Sequence, residues 1–296
     1  PADPGWHAAQ LARRDGLVLE QDPPPPIAET ERLIGGASTI QAQLTEPAAA
    51  FIGGRLAARA LDEQASGLPA LLRGNLIHDA LYQLYLEKPS RDTIASWTDV
   101  DERIVVALDF AFGRHERNAD DVLLRLFAME RRRVAGLLRE FLRVDVTREA
   151  FVIDSVESKV DLVESGVQLE LRMDRVDRLP NGSVAIIDYK TGAEKTFLTR
   201  QGEPKEYQLV AYACAIDESV AELALANVDS RSVVLHGAGA RDIEDWPDRL
   251  AAWSERVREA CAEMARGDVR LHRHQSADDA RPLNLITRFT ERRNEW

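Results

Sequence analysis

Within residues 151 to 190 the hydrophobic repeat is that of strands, not of helices, and this constrains the fold more than any other feature. Val167, Leu169, Leu171 and Met173 alternate with Gln168, Glu170, Arg172 and Asp174. An apolar run from Phe151 to Val163 precedes them and ends in Glu164-Ser165-Gly166, while Asn181-Gly182 leads into Ser183 to Tyr189. Two tight turns of this kind predict three antiparallel strands. Helical spacing lies on both sides. Leu76, Ile77, Ala80, Leu81, Leu84 and Tyr85 predict a helix that stops before Pro89, and a second fits 120–143. Residues 204–216 return to helical spacing with Pro204 in the first turn, Glu222 to Val228 reads as a strand pairing with Ser232 to His236, and a last helix fits 245–266. The class is α/β, with a sheet at the centre and helices around it.

Composition narrows what such a fold can do. Lys and Arg number 38 against 50 Asp and Glu, a formal charge of -12, so the surface as a whole repels polyanions. The one basic patch legible is on the helix at 120–143, through Arg125, Arg131, Arg132, Arg133, Arg139 and Arg143. Over residues 125–148 seven Arg stand against three acidic residues, which favours a long polyanion and predicts binding that weakens steeply with salt. Cys214 and Cys261 are too few for a disulfide scaffold and fit a reducing, cytoplasmic setting. No segment approaches the ~20 apolar residues of a membrane span. Residues 1–30, with Pro23 to Pro26, read as a lead-in or linker, and a start at Pro1 without a leader reads as part of a longer chain.

The chemistry gathers at the end of the third strand. Alternation puts Asp188 and Lys190 on one face and turns Tyr189 to the other. Asp174, 14 residues earlier and folded back through the Asn181-Gly182 turn, comes close to Asp188. Two carboxylates at short range disfavour each other's charge unless a cation neutralises them, and oxygen ligands select a hard ion, Mg2+ or Mn2+. Alone, an Asp-x-Lys at a strand end is more often a solvated salt bridge. Three features add weight: His78 one turn after Gly74 in Arg73-Gly74-Asn75-Leu76-Ile77-His78, and Gln208 and Tyr212 four apart on one helical face.

The ordered set RGNLIH, LRMDRVDRL, AIIDYKTG and YQLVAYA resembles the PD-(D/E)XK nuclease superfamily, in its RecB-like and AddB-like exonuclease branch. The resemblance spans about residues 34–267 and is sharpest over 73–216. It implies a restriction-endonuclease-like αβββαβ core with a central mixed sheet and additional flanking helices. On this reading residues 31–296 form one nuclease domain, with core 73–236, helical insert 90–148 and a C-terminal helix and tail at 245–296. It implies a divalent-metal-dependent DNA exonuclease working on single-stranded or duplex ends in recombinational repair, with a UvrD/AddA-like helicase as partner. No phosphate-binding loop of the GxxxxGK[ST] type is present, so such a motor lies on another chain. The alternative is an inactive or weak nuclease-fold DNA-binding scaffold within a helicase–nuclease complex.

Carried over by residue, Asp174 and Asp188 resemble the acidic metal ligands, Lys190 the catalytic lysine, and His78 the helical histidine at the metal, with the Tyr189 carbonyl as a further ligand. Gln208 and Tyr212 match the family's Q-x-x-x-Y, and Arg73 joins them on the substrate side. Asp177 competes with Asp174, but alternation turns it away. Glu157 is a candidate further acidic neighbour but reads more readily as a solvated strand residue, and His272-x-His274, a candidate metal pair, reads more readily as a solvated loop pair. Many AddB-like domains hold an iron–sulfur cluster. Here IQAQLTEPAAAFIGGRLAARAL resembles the first cluster segment but has no cysteine, and neither has the tail DDARPLNLITRFTERRNEW. The expectation is no iron–sulfur cluster, with packing through Phe51, Leu56, Leu283, Leu285, Ile286 and Phe289 in its place.

Overall fold

The computed structural model describes residues 24–28, 31–58 and 67–270. His272, His274 and the tail residues 283–289 lie outside them. In chain order the elements are β1 (Arg32–Leu33), α1 (Ala37–Thr45), α2 (Pro47–Ala50), a π-helical turn (Phe51–Arg55), α3 (Ala70–Tyr85), α4 (Arg91–Ala95), α5 (Val100–Glu116) and α6 (Asp121–Asp145). The sheet strands β2 (Val152–Glu164), β3 (Val167–Arg178) and β4 (Val184–Lys190) follow, then α7 (Gln208–Cys214), β5 (Val220–Asp229), β6 (Ser232–Gly239) and α8 (Trp246–Ala265).

The sheet is mixed. β2 pairs antiparallel with β3, β3 with β4 and β5 with β6, while β4 and β5 run parallel across the α7 crossover. The short β1 lies parallel to the start of β3, an addition the sequence pattern did not predict. Strand alternation divides the side chains between two cores. Val184, Ile186, Leu223 and Leu225 face α1, α7 and α8, whereas Ile187, Tyr189, Ala224 and Ala226 face α3, α5 and α6. A strand buried on both faces reads as an unbroken apolar run, which is why Val184 to Ile187 shows no alternation in sequence.

Three expectations change. The helix read at 204–216 begins only at Gln208. Lys205 N donates to Phe197 O at 2.9 Å and Tyr207 N to Gln41 Oε1 at 2.8 Å, so the donors that would have opened a longer helix are used by a loop closure. The basic patch on α6 is largely neutralised. Arg131 pairs with Glu116 and Asp109, Arg133 with Glu130, Arg139 with Asp101, and Arg143 with Glu140. Leu56 is 56% exposed, while half-buried Phe51 lines a small void with Ile27 and Met264 that joins the N-terminal segment to the end of α8; the tail residues expected to pack with them lie outside the described residues.

Beneath the sheet, on the α3–α6 side, Arg175 is fully buried. It donates to Asp145 at 2.7 Å and Asp177 at 2.6 Å, and Arg148 adds a bond to Asp177 at 2.6 Å. Tyr85 donates to Asp145 at 2.9 Å. Asp177 is thereby committed to a structural network with Arg175 and Arg148, separate from Asp174.

Candidate active site

The Arg175↔Ile187 rung is the last of the β3–β4 ladder, and the next position holds Asp174 and Asp188. Both carboxylates are buried. Asp174 Oδ2 accepts from Tyr189 N at 2.7 Å, which fixes its rotamer and leaves Oδ1 facing α3. There His78 Nδ1 stands 3.4 Å from Asp174 Oδ1 and 3.6 Å from Glu157 Oε1. The imidazole meets the Tyr189 ring edge to face at 5.7 Å, and Phe141 packs on that ring at 5.6 Å. Gly74, one turn earlier, lies against the loop after β4: a Cβ there would be 3.0 Å from Thr191 Oγ1.

Glu157 was read as solvated, and the structure corrects this. Its side chain is 10% exposed, and its second oxygen pairs with Arg172. The register runs Val156↔Arg175 and Ser158↔Met173, so Glu157 stands opposite Asp174. Its backbone is left-handed at φ 48, rare for a non-glycine residue in a strand and costly enough to persist only where the surroundings enforce it.

Lys190 Nζ lies 2.7 Å from Asp188 Oδ2 and donates to Gln208 Oε1 at 2.7 Å. Gln208 Nε2 in turn donates to the Tyr212 hydroxyl at 2.6 Å, so the i,i+4 pair on α7 acts as one unit that locates the ammonium. Asp188 Oδ2 is buried, and among the described residues the Lys190 ammonium is its ion-pair partner, with no well-formed hydrogen bond. These groups line an open cleft of about 620 Å3 that also carries Asp79, Arg114 and Arg172. Arg73 does not line it. The guanidinium is turned to Glu130 on α6 at 3.1 Å, away from the substrate side expected of it.

The electrostatics describe a site short of positive charge. Burial, reinforced by the charge of Asp174, pushes the Asp188 carboxyl up to about 7. Burial by itself would lower the His78 imidazole, but bonds to Asp174 and Glu157 overcome it and raise the group to about 10. Glu157 is held below the usual carboxylate range, the bonds from His78 and Arg172 outweighing its burial. Atoms of His78, Glu157 and Asp174 lie within 4.8 Å of one another, the spacing of groups sharing one ion. With the buried Asp188 carboxylate beside them, the donor set fits a hard divalent cation held mainly by oxygen.

No curated protein matches the chain in sequence. Among solved structures, a provisionally named exonuclease from Eubacterium rectale is similar at 14% identity and a TM-score of 0.44, over 83% of this chain and 86% of that one. The family model of the PD-(D/E)XK nuclease superfamily matches residues 37–278, and the chain belongs to that superfamily.

Proposed function

We propose that the protein is a Mg2+- or Mn2+-dependent deoxyribonuclease of the RecB-like and AddB-like branch, an exonuclease that trims DNA ends in recombinational repair. The observation that carries this reading is the buried pair Asp174 and Asp188 beside Lys190, whose ammonium lies 2.7 Å from Asp188 Oδ2. Superfamily membership supports phosphodiester hydrolysis and the use of a divalent metal. Asp174, Asp188, His78 and Glu157 would hold the cation, with the Tyr189 carbonyl as a further ligand. When bound, that ion supplies Lewis acidity to the phosphoryl group and acidifies water.

The chain's own groups do the remainder. Gln208 fixes Lys190 Nζ over the cleft, where it donates to the attacking water and steadies the charge as the proton leaves. The water releases its proton to solvent through the open cleft, its oxygen bonds to phosphorus, the phosphorus–sugar oxygen bond breaks, and the departing oxygen takes a proton from solvent. The Tyr212 hydroxyl accepts from Gln208 and keeps its own hydrogen for a phosphate oxygen. A helicase subunit on another chain and a cytoplasmic setting complete the reading. No helix of the described residues is long and apolar enough to cross a membrane.

The test is degradation of linear DNA by the purified protein with Mg2+ or Mn2+. Wild type should shorten single strands, and Asp188→Ala and Lys190→Ala should not while retaining the wild-type circular dichroism spectrum. Equal behaviour of all three would leave a DNA-binding scaffold.

A further inference from the structure

The cleft opens onto a strip between α3 and α5 that the hydrolytic machinery does not use. Three rungs cross these antiparallel helices. Asp79 and Arg114 pair at 2.6 Å on the cleft wall, Tyr82 and Phe110 meet with ring centroids 5.9 Å apart and planes tilted by 39°, and Glu87 and Arg103 pair at 3.8 Å beyond. Between the charged ends the surface is apolar and open: Phe110 is 49% exposed, Val106 57% and Leu86 44%. Asp79, Tyr82 and Leu86 recur at helical spacing, so the strip extends about 10 Å along α3 from the cleft wall.

We propose that Phe110 and Tyr82 form a base-stacking track for single-stranded DNA whose backbone enters the cleft past Arg114. This rests on reading the cleft as a phosphodiester site. Two observations select this occupant. The track is continuous with the cleft through Arg114, which lines both. Four of the six arginines of α6 are held in ion pairs and the chain carries a charge of -12, so electrostatic attraction to phosphates is weakened and contacts to base faces must supply much of the hold. A ring with an open face does this for any base, without sequence preference. Duplex DNA keeps its base faces stacked inside, so the track favours unpaired ends.

Fluorescence anisotropy of a short labelled oligonucleotide, measured with Mg2+ in the Lys190→Ala protein so that the strand survives, tests this against an abasic strand of equal length. The intact strand should bind about tenfold tighter, the scale of one lost base-on-ring contact. Phe110→Ala should bring the two to parity. Phe110→Leu, which keeps an apolar side chain and the fold, should behave like Phe110→Ala. A base preference that survives either substitution, or none in the parent, overturns the track and leaves the strip to a protein partner. Cleavage by wild type without a base preference refutes the track alone; a base preference lost in Phe110→Ala, without cleavage by wild type, supports the track and refutes the nuclease reading.

Discussion

Glu157 and Asp174 approach the same atom, His78 Nδ1, from opposite strands of one hairpin, at 3.6 and 3.4 Å. Three groups so placed are either an ion pair with two acceptors or the wall of a cation site. Glu157→Gln keeps the shape and removes the charge. It should weaken Mn2+ binding by about 10–100-fold, the range for a group supporting a metal ligand, with unchanged thermal unfolding. Titration calorimetry reads the first and a melting curve the second.

Lys190 is located by Gln208 together with Asp188. Gln208→Ala should lower kcat at least tenfold with KM little changed, because the lost contact acts on the reacting geometry more than on strand binding. Tyr212→Phe keeps the ring and loses the acceptor for Gln208, so it should show the same pattern more weakly. Steady-state kinetics on a labelled single strand separates the two parameters.

The contact between Gly74 and Thr191 ties α3 to the loop after Lys190. Gly74→Ala raises helix propensity by about 0.5–1 kcal/mol, yet the new methyl presses on Thr191 Oγ1. The expected result is a melting temperature that holds or rises together with a lower kcat. Adding Thr191→Ala removes the hydroxyl and should restore the rate; a double variant as slow as the single one would show that the contact is not the cause.

The Arg175, Asp145 and Asp177 network predicts a pH dependence of stability. Burial alone would raise the Asp145 carboxyl, but Arg175 and Arg148 hold it below its ordinary value of 3.8. A carboxyl lower in the folded than in the unfolded chain contributes stability that is complete above that ordinary value and is lost as pH falls through the folded one. Unfolding midpoints should therefore fall below about pH 4, and Asp145→Asn should flatten that fall while costing about 3–5 kcal/mol at neutral pH through the charge left on Arg175. Denaturant titrations across pH report both.

Much of this site was legible in one dimension. Strand alternation and two tight turns place Asp174, Asp188 and Lys190 at one strand end, and i,i+4 spacing aligns Gln208 with Tyr212. Glu157 was also within reach. The rung Glu164↔Val167 closes the hairpin, and counting back from it along both strands arrives at Glu157 opposite Asp174. What a strand pattern does not carry is the left-handed backbone at Glu157 and the packing of α3 against it, which decide between solvation and the site. The partnerships of Arg73 with Glu130, Arg114 with Asp79, and Arg139 with Asp101 depend on how helices far apart in sequence pack, and no local period encodes that. The same is true of α6, four of whose six arginines look free in sequence and are paired in the fold.

Divalent binding by the purified protein tests the central claim most directly. Mn2+ titration followed by electron paramagnetic resonance should show one saturable site in wild type and in Gln208→Ala, and none in Asp174→Ala or Asp188→Ala at the same concentrations. Saturable Mn2+ binding that persists unchanged in both aspartate variants would contradict the account.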